Sequence, residues 1–487
     1  MGLIDVRSAG GSPPGRLAVD VGLLVLAETA AKGGTFALTL VAARTLTRSE
    51  FGTYSYALAL ALLLSSAPSW GFYTLLVQRA SVRPSDLRRL AVEVMVLQTL
   101  IGTPLFVAAA LTCLAIMQPA AAAATALILS ATLVDVLLDG PRGVCAVRGR
   151  QRDVALALIV QRFVTALIAV ACLLLAGSLL GLSMAYFIGA IAGALSLIRA
   201  LDRAEVRLKL GDGVSKKGLR QTLRLSVPIG LQTVSGMVLF RADMVLIGVL
   251  LNKSAVSAYA VAYRLLDSLL FLTFVVGRVV LPGMSSSGRA DRVRSLLRRG
   301  LALCAVAYMP IAAVVLVNSA GLIGFLFGRQ YVEADTADSL RLLALAPMAF
   351  SVAFLASFAL FAFDHWRESM AIAVASAAVN VTANFVLIPT IGIRGAAATT
   401  TLSYVLQAGL VWRAVCSLIG RLALLQALAP SALGAAVLGA TLVGLSDHSF
   451  VALPVGALTY VVTWALVAWL VDREQLNAAR SLLRLQR

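Results

Sequence analysis

Charged side chains are scarce in this chain. Asp, Glu, Lys and Arg together make up 13% of its 487 residues, whereas about 25% is usual for a soluble domain. Hydrophobic residues make up 60%. This composition excludes a soluble protein and indicates one that lies largely within a membrane.

Residue types that commonly bind metals or carry out catalysis are also few. The five cysteines form neither a CxxC pair nor a metal-ligand spacing, and each lies in or beside an apolar stretch, where cysteine serves as a small apolar side chain. The two histidines, His365 and His448, lie at loop edges. A Gly-rich phosphate loop, a nucleophile elbow and an HExxH motif are missing from the sequence. We therefore predict no metal site, no cofactor and no ATPase activity.

Long apolar stretches make up most of the chain. A helix of 18 or more apolar residues can cross the ~30 Å hydrocarbon core of a bilayer. About 14 stretches meet this condition. We expect an all-α membrane protein with spans near residues 18–43, 52–77, 90–115, 119–141, 153–176, 179–199, 223–250, 255–283, 297–327, 339–362, 369–389, 393–413, 422–446 and 451–471.

Lys and Arg are divided unevenly between alternate breaks. If residue 1 is cytoplasmic, inner segments hold about 30 of the 41 cations, outer segments hold about six, and five lie inside spans. Because cations collect on the cytoplasmic side, this predicts a multi-pass protein of the cytoplasmic membrane with both termini inside. The net charge of +18 is then a consequence of topology. No nucleic-acid partner is expected, because the cations occupy every inner loop without interleaved aromatic residues.

The longest inner break is basic and suggests the domain organisation. The first span carries Asp20, Glu28 and Lys32 without a cleavage site after a short apolar core, so we interpret it as a retained helix. The predicted segments are a cytoplasmic tail (1–17), an N-terminal lobe of six spans (18–200), a basic cytoplasmic linker (201–222), a C-terminal lobe of six spans (223–417), two extra spans (418–472) and a cytoplasmic tail (473–487).

Two short motifs recur in the two halves. The first is Leu46-Thr47-Arg48-Ser49 with Tyr54, which corresponds to Leu251-Asn252-Lys253-Ser254 with Tyr259. The second is Gly149-Arg150-Gln151-Arg152-Asp153, which corresponds to Asp364-His365-Trp366-Arg367-Glu368. Each offset covers six spans, so the motifs indicate a duplicated six-helix unit whose copies share one membrane orientation.

Several further motifs carry a family resemblance that extends over nearly the whole chain. They are Ala43-Arg44-Thr45-Leu46 with Glu50-Phe51-Gly52-Thr53-Tyr54, Arg241-Ala242-Asp243-Met244-Val245-Leu246-Ile247-Gly248, Leu281-Pro282-Gly283-Met284-Ser285, Phe327-Gly328-Arg329-Gln330-Tyr331 with Ala334, and Asn380 and Asn384 with Ile388-Pro389 and Ile391-Gly392-Ile393-Arg394-Gly395-Ala396-Ala397. In their order and spacing the chain resembles the polysaccharide-type, Wzx-like flippases of the multidrug/oligosaccharidyl-lipid/polysaccharide (MOP) exporter superfamily.

The resemblance implies two six-helix lobes around a central cavity that opens alternately to either side, as in MATE-like folds. The implied substrate is a polyprenyl-diphosphate-linked glycan, with membrane lipid, a glycan polymerase and glycosyltransferases of the same pathway as partners. The implied activity is transport, not catalysis. Energy would come from the membrane potential or from an H⁺ or Na⁺ gradient.

Alternatives remain for the function. A peptidoglycan lipid-precursor flippase shares the fold and a cationic cavity. A drug or organic-cation exporter would need a carboxylate-dominated cavity, whereas the central candidate groups inside the spans of this chain are mainly cations. A membrane-embedded glycan polymerase or ligase would need larger outer loops than the dozen or so residues around 327–339.

Ionisable residues inside spans are the candidate binding residues, because each costs roughly 2.5–3.5 kcal/mol in a membrane unless it meets a cavity or a partner. Arg264, Asp267 and Arg278 lie on one stripe of helix eight, although Arg278 is near enough to the inner end to extend to the interface. Glu28 and Lys32 lie four apart in helix one, as a self-contained ion pair or a cavity-facing pair.

Three more candidate groups follow. Arg241 and Asp243 point about 200° apart on helix seven, so one of them, by the family pattern Asp243, is expected to make a contact between helices. Arg162 on helix five is a further candidate cation. Asp135 and Asp139 on helix four either couple transport to protons or form a solvated helix end beside Arg142.

The cations suit the implied substrate. Arg offers a planar fork of donors that matches phosphate oxygens, and Lys offers a point charge. We therefore expect Lys32, Arg241 and Arg264 to bind a diphosphate, with Arg162 and Arg278 as weaker candidates.

Overall fold

The structure is a computed structural model that describes residues 33–203, 214–285, 289–420, 424–445 and 449–471. The regular elements in these ranges are helices, apart from two 3₁₀ turns at Pro84–Asp86 and Arg329–Tyr331. The α-helices are α1 (33–45), α2 (Arg48–Ser69), α3 (Phe72–Val82), α4 (Leu87–Ile116), α5 (Pro119–Leu137), α6 (Asp139–Val147), α7 (Gln151–Ala176), α8 (Leu179–Arg203), α9 (Lys216–Leu250), α10 (Lys253–Ser285), α11 (Ala290–Phe327), α12 (Ala334–Leu343), α13 (Ala346–Ala362), α14 (Trp366–Ile391), α15 (Ile393–Ile419), α16 (Leu424–Gly444) and α17 (Ser449–Val471).

Thirteen helical segments of the described chain are long and apolar enough to cross a membrane. They correspond to the second to fourteenth predicted spans, so the all-α membrane fold is confirmed. The predicted first span (18–43) lies mostly outside the described residues. Three of the thirteen segments consist of two helices in tandem: Arg48–Val82, Pro119–Val147 and Ala334–Ala362.

The break between α2 and α3 is shaped by a close helix contact. Trp70 and Gly71 both have left-handed backbones, with φ of 33° and 68°. A Cβ on Gly71 would overlap the side chain of Ile229, and a Cβ on Gly230 would lie 2.5 Å from the indole ring of Trp70. Glycine at these two positions therefore lets the break pack directly against α9.

Packing divides the described chain into two compact units, one ending at Ala260 and the other beginning at Val261. In the first unit, α7 packs against α8, α5 against α8, and α2 against α5 and α9. Its apolar core lies among α3, α4, α6 and α8. Helix α9 thus packs with this unit, whereas the sequence assigns it to the C-terminal lobe. The lobe boundaries stay a prediction.

The second unit has its main apolar core among α10, α11, α13 and α15. A buried hydroxyl network joins three of these helices. The Tyr308 hydroxyl on α11 accepts from the Thr273 amide at 3.0 Å and donates to the Leu269 carbonyl at 2.8 Å. Thr273 Oγ1 lies 2.6 Å from Ser351 Oγ on α13. These three buried hydroxyls therefore satisfy one another and the backbone of α10.

The last two helices, α16 and α17, are anchored on α11 at a proline. Pro310 lies inside α11 and has no amide proton to donate to the carbonyl four residues earlier. That carbonyl belongs to Val306, and the Tyr460 hydroxyl of α17 donates to it at 2.9 Å. The freed backbone acceptor therefore becomes a specific contact for α17.

The first recurring motif takes the same local structure in both copies. Thr47 caps α2 by accepting from the Glu50 amide at 3.3 Å, and Asn252 caps α10 by accepting from the Ala255 amide at 2.8 Å. The matching tyrosines, Tyr54 and Tyr259, are both fully buried. Tyr54 bonds the hydroxyl of Tyr186 at 2.6 Å, and Tyr259 bonds a carboxylate described below.

The second recurring motif also takes one structure twice. Gly149 and Asp364 both have left-handed backbones, with φ of 71° and 63°. The next residue makes a polar contact with the acid three positions later in each copy, at 2.5 Å for Arg150–Asp153 and 3.2 Å for His365–Glu368. These matched geometries support the predicted duplication.

Candidate functional site

Arg264 and Asp267 lie on the continuous helix α10, as the predicted stripe requires. Arg264 Nη1 is 3.5 Å from Asp267 Oδ2, and the two side chains are 19% and 20% exposed. Arg278, farther along the same helix, is exposed. The stripe is therefore present, with a partly accessible ion pair at one end and an exposed guanidinium at the other.

Asp243 lies in a contact between α9 and α10. Its carboxylate is buried, and Oδ2 accepts from the Tyr259 hydroxyl at 2.5 Å. The other oxygen accepts from the Met244 amide at 2.7 Å. The half-buried Arg241, two residues earlier, points to a different side of the helix. Asp243 therefore links α9 to the first two turns of α10, a contact that lies within the first unit.

The remaining predicted cations are not gathered around these residues by any described contact. Arg162 lies on an exposed face of α7, a helix that packs mainly against α8. Lys32 and Glu28 lie outside the described residues. Arg241 belongs to the first unit and Arg264 to the second. Among the described residues, no group of three His, Cys, Asp or Glu side chains is placed to hold a metal ion.

Asp135 and Asp139 share one arginine at the junction of α5 and α6. Arg142 Nη2 lies 2.5 Å from Asp135 Oδ1, and Nη1 lies 3.5 Å from Asp139 Oδ1. The buried Gln98 of α4 donates to Asp139 Oδ2 at 3.1 Å. Asp139 is only 18% exposed. The arrangement contains the predicted Arg142 partner, but it is a largely buried network and not a fully solvated helix end.

Sequence reasoning missed a buried carboxylate in the third predicted span. Glu93 on α4 is 1% exposed, and its Oε2 accepts from the Thr222 hydroxyl of α9 at 2.6 Å. Arg89 Nε lies 3.9 Å from the other oxygen. An acid inside the predicted span 90–115 was the available signal. Its partner lies 129 residues away in sequence and was not visible.

Two resemblance motifs also form buried or interhelical polar contacts. Asn384 on α14 donates to Asn380 at 3.1 Å, and Asn380 donates to Ser403 of α15 at 3.1 Å. At the start of α15, Arg394 pairs with Asp335 of α12 at 3.2 Å. These residues tie neighbouring helices together.

Solved structures with similar folds define the class of protein. The chain superimposes on "Lipid II flippase MurJ, inward closed conformation" with a TM-score of 0.71, at 13% identity, over 93% of this chain and 99% of that one. It superimposes on an inward-facing multidrug resistance MATE family transporter of the MOP superfamily with a TM-score of 0.61, at 14% identity, over 79% and 94% of the chains. The protein is a multi-pass membrane protein with the MATE/MurJ-like fold.

The chain belongs to the polysaccharide biosynthesis protein family, whose profile matches residues 41–336. It is 27% identical over 228 residues to the "Probable flippase AglR" of Haloferax volcanii, covering 46% of this chain and 48% of that protein. It is also 27% identical over 165 residues to the "Probable low-salt glycan biosynthesis flippase Agl15" of the same organism, covering 33% and 34%. These matches thus span half or less of each relative. The resemblance found in the sequence motifs is confirmed.

Proposed function

We propose that this protein is an alternating-access flippase that moves a lipid-diphosphate-linked oligosaccharide across the cell membrane. The observation that carries the proposal is Arg264, a partly accessible guanidinium inside a membrane span of a protein from a polysaccharide biosynthesis family. Relatives named as glycan flippases support the same interpretation. Both termini are cytoplasmic, as the Lys and Arg distribution indicates.

Arg264 suits the diphosphate better than it suits a permanent partner. Its ion pair with Asp267 is 3.5 Å long and joins one nitrogen to one oxygen, whereas a strong Arg–carboxylate pair is shorter and bidentate. An incoming diphosphate offers more acceptors in the geometry of the guanidinium fork. Lys32 and Arg241 supply further positive charge, and the lipid tail remains in the bilayer.

The proposed driving force is the membrane voltage. Moving one charge across 100 mV is worth ~2.3 kcal/mol. Two negative charges leaving an inside-negative cell therefore gain on the order of 5 kcal/mol. Consumption of the product by polymerising enzymes outside would add to this driving force, and an H⁺ or Na⁺ gradient is the alternative energy source.

The test compares variants of Arg264 in a strain that lacks the natural protein. Arg264→Ala should abolish surface glycan while the protein still inserts, and lipid-linked glycan should accumulate on the inner side. Arg264→Lys keeps the charge but loses the fork, so partial activity at best is expected. Lipid extracts from the same strains would identify the sugar and distinguish a surface-glycan carrier from a peptidoglycan-precursor carrier.

The double variant decides between binding and mere pairing. If Arg264 and Asp267 serve only each other, Arg264→Ala with Asp267→Ala should transport nearly normally, and such a result would refute the proposed site. An inactive double variant that reaches the membrane at normal levels would support it. Sugar transfer by the purified protein in vesicles would instead show an enzyme.

A further inference from the structure

The N-terminal part of α9 is held against α4 by an unusual buried contact. Thr222 and Glu93 are 3% and 1% exposed, and the Thr222 hydroxyl donates to Glu93 Oε2 at 2.6 Å. The second carboxylate oxygen lies directly over Gly218, so that a Cβ at this glycine would overlap it. We call Glu93, Thr222 and Gly218 the inner latch.

Small residues form one stripe on the N-terminal half of α9, beside Leu219 and Leu223, which pack against the apolar core of the first unit. Thr222, Ser226 and Gly230 are buried at four-residue intervals, so they form one stripe. The side chains of Thr222 and Ser226 are short, so they do not insert between side chains of α2 or α4. The small stripe therefore lets neighbouring helices approach closely, while Leu219 and Leu223 add apolar contacts that are lost when the helices separate.

The inner latch adds a hydrogen bond, from Thr222 to Glu93, at one end of this stripe. A hydrogen bond to a buried carboxylate is stronger than one between neutral groups. Its loss would leave the carboxylate of Glu93 buried with Arg89, 3.9 Å away, as its nearest described cation. The Glu93 carboxylate is therefore stabilised by Thr222 while α4 and α9 stay together. After they separate, water must reach it instead.

The position of the contact links it to transport. The predicted lobe boundary runs between α8 and α9, so α4 and α9 belong to different predicted lobes. Both helices pack in the same compact unit of the structure, so under the predicted boundary a cavity between the lobes would open by separating α4 from α9. The flanking cations Arg88, Arg89, Lys216 and Lys217 place it at the predicted cytoplasmic end.

We propose that Glu93 and Thr222 are positioning residues that hold α4 and α9 together when the cytoplasmic side is closed, and that they separate to admit the substrate. This inference rests on the proposed function, because it treats opening at this contact as a step of transport. It predicts that weakening the inner latch raises the population in which α9 has left α4.

The test measures how fast a cysteine on the stripe reacts. Ser226→Cys is introduced into the full-length protein after its five natural cysteines are replaced by alanine. Native membranes are treated with N-ethylmaleimide, which crosses bilayers, so the result is independent of topology. Ser226 is fully buried, and labelling should therefore be slow while the inner latch is closed.

Two independent changes should speed labelling. Thr222→Val removes the hydroxyl and keeps the shape, and about tenfold faster labelling is expected from losing one hydrogen bond to a charged acceptor. Gly218→Ala displaces the Glu93 carboxylate by steric contact and should act in the same direction. Thr222→Ser restores the donor and should label at the parent rate.

Matched controls separate the inner latch from general loosening. Thr125 is a fully buried threonine whose hydroxyl bonds the Ala121 carbonyl of its own helix, so Thr125→Val should not speed labelling. Gly236 has open space where an alanine methyl group would lie, so Gly236→Ala is the control for Gly218→Ala. Equal rates in Thr222→Val and the parent, or equal acceleration by Thr125→Val, would overturn the proposal.

Failure here and failure of the proposed function can be told apart. The labelling rates require no substrate. If the rates shift as expected but the purified protein moves no lipid-linked glycan, the helix contact opens as inferred and the proposed function is wrong. If the protein transports and the rates do not shift, the inner latch is wrong.

Discussion

Gly230 offers a direct test of the contact between α9 and the break after α2. A Cβ at this position would lie 2.5, 2.5 and 2.6 Å from three atoms of the Trp70 indole, closer than any real carbon contact. The indole is rigid, so the helix or the whole ring must move. Overpacking of this kind costs about 1–3 kcal/mol.

The matched control lies six residues later on the same helix. A Cβ on Gly236 would meet no atom within 4 Å. Both substitutions gain the same helix propensity, about 0.5–1 kcal/mol for Gly→Ala in a helix interior. That gain cancels in the comparison, so Gly230→Ala should be less stable than Gly236→Ala by the steric cost alone, about 1–3 kcal/mol.

Thermal unfolding of the purified protein in detergent measures this difference. At roughly 2–4 °C per kcal/mol for a unit of this size, the apparent Tm of Gly230→Ala should lie at least a few degrees below that of Gly236→Ala. Trp70→Leu combined with Gly230→Ala should recover part of the loss, because the two positions are in contact. Equal Tm values for the two alanine variants would refute the close approach of α9 to Trp70.

Three further predictions concern other parts of the molecule. Tyr460→Phe should lower stability by about 1–2 kcal/mol in a melting experiment, because the Val306 carbonyl loses the hydroxyl that replaces its missing helical donor; an unchanged Tm would mean that water or another group serves that carbonyl. Reporter fusions should read cytoplasmic after Arg152 and external near Glu333, and a cytoplasmic signal at Glu333 would break the span count. Arg394→Gln should cost no more than ~1 kcal/mol, because its ion pairs are exposed, and a larger loss would show that they act as a cooperative network.

The duplicated motifs illustrate what a repeat preserves. The copies keep the helix cap, the buried tyrosine and the left-handed turn, although the residues differ at most positions. Asn252 replaces Thr47 as the cap, and Asp364 replaces Gly149 in the turn. The polar partners of the two tyrosines differ, since Tyr54 bonds a tyrosine and Tyr259 bonds Asp243. The two copies therefore share backbone geometry, whereas the polar partners of their side chains differ.

The sequence by itself determined the features that depend on short stretches of chain. Membrane spans follow from the length of apolar runs against a fixed bilayer thickness, and the predicted topology follows from counting cations in breaks. The recurring motifs that contain Thr47 and Asn252 were likewise recognised from residues a few positions apart. Each of these involves local chemistry that no distant residue needs to complete.

The tertiary structure alone decided which polar groups meet inside the bundle. Glu93 finds Thr222 across 129 residues, and the Val306 carbonyl finds Tyr460 across 154. Helix neighbours in a membrane are selected by close packing of small residues and by a few polar contacts, and apolar lipid-facing and helix-facing surfaces have similar compositions. For that reason the sequence identified Arg264 and Asp243 as costly ionisable residues and predicted a helix contact for Asp243, whereas only the packed helices showed its partner, Tyr259, and the accessibility of the Arg264–Asp267 pair.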